Sequence, residues 1–235
     1  MGQSELGQYT EGRPVTAEAQ AVAGTGERES VTGERFPTVE ETVDVAVMQV
    51  DYTVEGRGDD EYPVVHVFGR TADGDPVHAR VLEFEPYFYA PVEEATEQRL
   101  RQYDRITGWE QTDESGDPYE SIRGERLVKI FGQTPRDVGQ LRDEFDHFEA
   151  DILFPNRLLI DKDITSGVRL PVRTVDTDTD RQTLRVHHEE LGPVAVDATP
   201  RVNTFDIEVD DRSGFPEDGE EPIICLASHD SVRDE

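Results

Sequence analysis

The sequence contains one cysteine, Cys225, so it has neither a disulfide framework nor a thiolate zinc site. Lysine is almost absent. Of 23 basic residues only Lys129 and Lys162 are lysine, set against 53 acids, and the formal net charge is −30. No run of about 18 apolar residues occurs, which excludes a membrane-spanning helix. The opening MGQSELGQYTEGRP has no apolar signal core. These absences lead to the expectation of a cytoplasmic protein with no membrane partner. The six histidines (His66, His78, His147, His187, His188 and His229) show no metal-ligand spacing. His187 and His188, adjacent on an extended segment, point opposite ways.

An acid excess of this size suits a disordered chain or a folded protein adapted to concentrated salt. Apolar runs with β-like alternation recur between the charges, which favours the folded protein. At about 1 M salt the Debye length falls to about 3 Å, so surface carboxylates barely repel one another. The acids then serve solubility rather than choice of partner. A pI near 4.4 argues against nucleic acid in dilute salt. In concentrated salt that long-range term is weak, and stacking and shape can carry contact with DNA.

The pattern along the chain divides it. Residues 1–40 are rich in Gly, Glu, Thr and Ala without periodicity and read as a disordered tail. Val45–Tyr52, Pro63–Phe68 and Val77–Phe84 read as strands of an antiparallel meander, with turns at 56–60 and at Asp73-Gly74. Pro86–Ala90 is a short aromatic strand, Glu93–Tyr103 a helix and Arg126–Phe131 a strand. Thr134-Pro135 opens a helix with Val138, Leu141 and Phe145 on one face. Phe148–Phe154 reads as a further strand. Strand–helix–strand twice over predicts a ferredoxin-like α+β unit, so residues 41–170 form one domain. Residues 171–200 read as a polar hairpin or linker, and residues 201–235 as the start of another domain.

That last block carries the chemically suggestive segment, Thr204-Phe205-Asp206-Ile207-Glu208-Val209-Asp210. On a strand Phe205, Ile207 and Val209 would pack inward, while Asp206, Glu208 and Asp210 share the other face. Carboxylates two residues apart lie about 6.5–7 Å apart at the backbone, and their oxygens can converge on paired divalent ions about 3.5–4 Å apart. Hard carboxylate ligands suit Mg²⁺ or Mn²⁺. Spacing alone is weak evidence. With 53 acids in 235 residues, about a dozen acid-x-acid pairs arise by chance, each usually on a solvated face. Context lifts this pair: an apolar strand, a loop, then a second apolar strand, PIICLAS.

The string FDIE followed by PIICLAS resembles the first exonuclease motif of archaeal family-B DNA polymerases. Upstream, QVDYTVEG resembles that family's first strand and EFEPYFYAPV its strand with a Pro-Tyr pair. TPRDVGQLRDEF and FEADILFPNRLLIDK resemble its second helix and following strand. The likeness covers about residues 45–230, and the acidic, lysine-poor composition suggests a haloarchaeal member. It implies an antiparallel meander plus ferredoxin-like N-terminal domain, then the first strands of an RNase H-like 3′→5′ exonuclease domain that breaks off at Glu235.

The resemblance implies that Asp206 and Glu208 are catalytic and hold Mg²⁺ or Mn²⁺. It also implies DNA as partner, both template strand and 3′ end. Deoxynucleoside triphosphates and a sliding clamp would be partners of the complete enzyme only. Two acids without the family's later ones should show little or no nuclease activity. A further implication is a template-base pocket for uracil formed by Tyr52, Pro86, Tyr87, Pro135, Val138, Ile152, Phe154 and Arg157. Leu153 departs from the family pattern, where proline is usual. Two other readings stand beside the polymerase fragment: a non-catalytic module that senses deaminated bases in single-stranded DNA, and an unrelated acidic scaffold.

Overall fold

The computed structural model describes residues 36–175, 182–210, 214 and 222–233. Most of the expected N-terminal tail, and most of the acidic loop after Asp210, therefore lie outside the described residues. Residues 36–40 do not behave as a free tail. Phe36 is buried against the His187 ring at 5.2 Å, and Arg173 donates from Nε to the Pro37 carbonyl at 2.6 Å. The described fold is mixed α and β, rich in strands. Among its residues no helix is long and apolar enough to cross a membrane.

The meander is present as β1 (Thr42–Glu55), β2 (Tyr62–Arg70) and β3 (Pro76–Leu82), each antiparallel to the next. Gly74, at φ 89°, supplies the left-handed residue that the β2–β3 turn needs. The remaining strands of this sheet come from further along the chain: β7 (Gly167–Pro171), β8 (Thr174–Val175), β9 (Gln182–His187) and β10 (Gly192–Val194). The order is β10-β7-β1-β2-β3-β9-β8, with β9 parallel to β3. The segment expected to be a linker or polar hairpin thus pairs into the main sheet. Leu184 and Val186 are fully buried there, whereas the arginines, acids and His residues around them made the run read as polar.

A second sheet has the order β4-β6-β5, from β4 (Tyr87–Pro91), β5 (Ile106–Glu110) and β6 (Leu127–Gly132). On the free edge of β4, Tyr89 makes a single antiparallel bridge with Phe148. Side chains alternate across this sheet, and both of its faces are covered. Phe88, Ala90, Val128 and Ile130 pack with α1 (Glu97–Leu100) and α2 (Pro135–Leu141). Tyr87 and Phe131 join the core of the seven-stranded sheet, together with Phe154 and Leu158 of α3 (Phe154–Asp161).

Two expectations need correction, and one strand was not foreseen. The helix expected over Glu93–Tyr103 is only α1, because Thr96 takes an extended conformation (ψ 146°) as N-cap and residues 92–95 make a separate turn. A β-branched residue disfavours continuing the helix there. The strand expected over Phe148–Phe154 is one bridge, then a turn into α3. Glu149 is left-handed (φ 59°) and Pro155 stands in the first turn of α3. Residues Ile106–Glu110, unassigned from sequence, form β5.

Thr134 caps α2 as expected. Its hydroxyl accepts from the Asp137 amide, and the Asp137 carboxylate accepts from the Thr134 amide at 3.1 Å. Replacing Thr134 with alanine should cost about 1 kcal/mol of stability, read as a lower denaturant midpoint with an unchanged slope.

On the outer face of the main sheet, hydrogen bonds link four strands. Thr53 meets His66 at 2.8 Å, His66 Nδ1 meets His78 Nε2 at 2.9 Å, and Thr183 meets His78 at 3.4 Å. Burial, then the Arg80 charge, pushes His66 below its ordinary 6.5, outweighing Glu55 and Asp51. The unfolded chain therefore binds the His66 proton more readily. The stabilisation is complete above about pH 6.5 and lost as pH falls through the lowered folded value. Between pH 7.5 and 5.5 the melting temperature should fall, and it should fall less in His66→Gln.

Candidate functional site

All eight residues expected at a base pocket line one cleft, of about 240 Å³. Four elements meet there: Tyr52 of β1, Pro86 and Tyr87 at the start of β4, Pro135 and Val138 of α2, and the segment 150–157. Tyr52 meets Phe154 edge-on at 5.6 Å, and Phe84 stacks behind Phe154 at 5.3 Å. The Gly132 amide donates to the Pro86 carbonyl at 3.0 Å, fixing the β4 entry against the turn that leads into α2. Arg142 reaches from the end of α2 to the Ala150 carbonyl at 3.4 Å, tying the two lips together.

Sequence reasoning missed Gly139, Arg142, Ala150 and Asp151 as lining residues, and Leu153, noted there for its departure from the family pattern, lines the cleft too. Leu153 stands where the resemblance leads one to expect proline. It adopts φ −58°, within the range a proline ring fixes, so the backbone path a proline would impose is kept. Its side chain is exposed.

The cleft wall rests on a buried polar group that the sequence reading also missed. The Tyr87 hydroxyl donates to both Asp161 oxygens, at 2.7 and 2.9 Å. Two cations lie over the Tyr87 ring, Lys129 Nζ at 4.0 Å and the Arg157 guanidinium at 4.8 Å from its centroid. Arg157 is 5% exposed and donates to the Glu149 carboxylate at 2.6 Å and the Glu149 carbonyl at 2.9 Å. Burial raises the Tyr87 phenol far above its ordinary value, and the neighbouring Asp161 adds to that. Burial also raises Asp161, against the pull of Tyr87, Arg157 and Lys129, and it lowers Lys129. A signal was available: Lys129 is one of two lysines in the chain, placed mid-strand in the apolar run LVKIFG.

The carboxylate strand is β11 (Asn203–Val209), paired antiparallel with β12 (Ile223–Asp230). The register runs without interruption through Asp206↔Ala227, Ile207↔Leu226 and Glu208↔Cys225, with an irregularity only after Glu208. Asp206 and Glu208 therefore share one face. The expected inward packing of the other face is not found. Phe205 is 65% and Ile207 43% exposed. Among the described residues no group of three or more His, Cys, Asp or Glu side chains is placed to hold a metal ion. The chemistry of Asp206 and Glu208 fits a hard divalent cation, but the two supply only part of a ligand set.

The family model for the exonuclease domain of DNA polymerase family B matches residues 145–233, from the segment before α3 to the end of the hairpin. The DNA polymerase delta catalytic subunit of Arabidopsis thaliana is 25% identical over 214 residues, 71% of this chain and 20% of that protein. The corresponding subunit of Dictyostelium discoideum is 24% identical over 244 residues, 77% of this chain and 22% of that protein. The chain thus spans about a fifth of the curated relatives it matches. Among solved structures, the family B DNA polymerase from the hyperthermophilic archaeon Pyrobaculum calidifontis superposes with a TM-score of 0.65 at 26% identity, over 81% of this chain and 26% of that one. Residues 145–233 thus match the exonuclease domain of DNA polymerase family B, and most of the chain is similar to catalytic subunits of DNA polymerases and to an archaeal family B polymerase structure.

Proposed function

We propose that this chain is the N-terminal part of a DNA-directed DNA polymerase with a 3′→5′ proofreading exonuclease, and that Asp206 and Glu208 are the first two metal ligands of the nuclease centre. The observation that carries this is their shared face on β11, inside the segment matched by the exonuclease model. Bound Mg²⁺ or Mn²⁺ would activate water and stabilise the leaving oxygen of a phosphodiester. The protein's contribution is two carboxylates held in fixed register beside a DNA 3′ end. Deoxynucleoside triphosphates and a sliding clamp belong to the complete enzyme.

In this reading residues 41–170 are an N-terminal domain and residues 201–235 the start of an RNase H-like domain. The order β4-β6-β5, with Phe148 on the outer edge of β4, supports a ferredoxin-like unit whose fourth strand is reduced to one bridge. The ratio of acids to lysines supports a haloarchaeal source and a working medium of concentrated salt. In 2 M KCl, substoichiometric Mn²⁺ should selectively broaden the NMR signals of residues 206–208 and 225–227. The effect should vanish in an Asp206→Ala, Glu208→Ala double variant. Broadening spread evenly over the acidic surface would remove the metal assignment.

A second reading concerns the cleft: capture of a flipped uracil from the template strand. Its support is that eight residues from four elements line one opening of about 240 Å³. That is below the roughly 300–1,000 Å³ of pockets for drug-sized ligands, and it suits one planar ring taken out of its stack. Exclusion of one methyl group distinguishes thymine from uracil by about 10–200-fold at most. Uracil-containing single strands should bind about tenfold more tightly than thymine-containing ones in high salt, by fluorescence anisotropy. Val138→Gln should bring the two close to parity, and equal affinity in the unaltered chain would eliminate this reading.

A further inference from the structure

We infer that Asp161, which does not line the cleft, is a positioning residue for base discrimination through the Tyr87 hydroxyl. The inference rests on the base-capture reading and adds to it the source of the wall's rigidity. Tyr87 is 7% exposed, and its hydroxyl must find a partner inside the protein. Asp161, the last residue of α3, is the charged partner: its two carboxylate oxygens share the one hydroxyl proton at 2.7 and 2.9 Å, and Tyr89 is hydrogen-bonded to Tyr87 as well. The hydroxyl is thereby committed away from the cleft, and Tyr87 meets a ligand through its ring alone.

Charge balance makes Asp161 hard to replace. Lys129 and Arg157 both lie over the Tyr87 ring and repel one another. Glu149 meets Arg157 directly. Asp161 acts on both cations, and its pull on Lys129 is second only to that of Glu110. Without Asp161 the buried Tyr87 hydroxyl keeps only its hydrogen bond with Tyr89, and two neighbouring cations lose a shared counter-charge, each a reason for the ring to shift. Because Phe154 and Arg157 belong to the same helix as Asp161, the bond also holds the α3 wall of the cleft against the β4 wall. A recognition step that excludes a single methyl group tolerates little movement between these walls.

The test uses the full 235-residue chain in 2 M KCl, with uracil-containing and thymine-containing single-stranded oligonucleotides as probes. Asp161→Ala should reduce the uracil preference at least fivefold and speed the flipping of the Tyr87 ring, read by NMR on labelled tyrosine. Asp161→Asn keeps an acceptor oxygen without the charge and should restore part of the preference, which a general loss of packing would not do. Tyr87→Phe keeps the ring and removes the bond, and it should behave like Asp161→Ala even if the alanine variant fails to fold. A uracil preference in the unaltered chain that survives both Asp161→Ala and Tyr87→Phe overturns the inference alone. No preference in the unaltered chain overturns the base-capture reading, and the inference falls with it.

Discussion

The placement of Tyr87 ties the two cores of this protein together. The strand alternation of β4 and β6 sends Phe88, Val128 and Ile130 to one side, under α1 and α2, and sends Tyr87 and Phe131 to the other, against the seven-stranded sheet. Lys129 follows the same alternation and is carried to the Tyr87 side, although it is a cation. A cation desolvated over an aromatic ring can gain about 2 kcal/mol, but only where counter-charges offset its burial. For Lys129 these are Glu110 first and then Asp161, and for Arg157 they are Glu149 and Asp161. The cleft is therefore shaped by the junction of two sheets, and its walls are as firm as the polar cluster behind them.

The chemistry of the chain changes at about residue 200. Before residue 200 the described protein has two apolar cores and a small cleft open to solvent. From Asn203 it has a two-stranded ribbon exposed along nearly its whole length, with the carboxylates on one side and Phe205 and Ile207 bare on the other. The match of residues 145–233 to the exonuclease-domain model is what draws attention to the ribbon. Its own packing does not.

Much of this was legible in the sequence. The meander, its Asp73-Gly74 turn and the cap at Thr134 follow from alternation and local chemistry, which act over a few residues. FDIE declared a strand and a shared acidic face for the same reason. The failures have other causes. Residues 171–200 read as a polar hairpin or a linker; β8 and β9 do pair antiparallel, but the parallel pairing of β9 with β3 joins distant segments and leaves no local signal. Phe148–Phe154 has the composition of a strand, but Glu149 turns left-handed, and its carboxylate and carbonyl both receive Arg157. No short-range pattern encodes that. The eight cleft residues were named through resemblance; propensity would not have gathered them, because they come from four elements spread over Tyr52 to Arg157. Asp161 and Lys129 were overlooked because their partners are far away in the chain.

The lone thiol of the protein lies on β12 directly across from Glu208, exposed, with the two side chains on the same face of the ribbon. Nature has thus left a single point of covalent attachment within one strand spacing of the acidic pair. A spin label or fluorophore joined to Cys225 would report from the edge of that pair on whatever ion or strand end comes to cover it, and no other cysteine would have to be removed first.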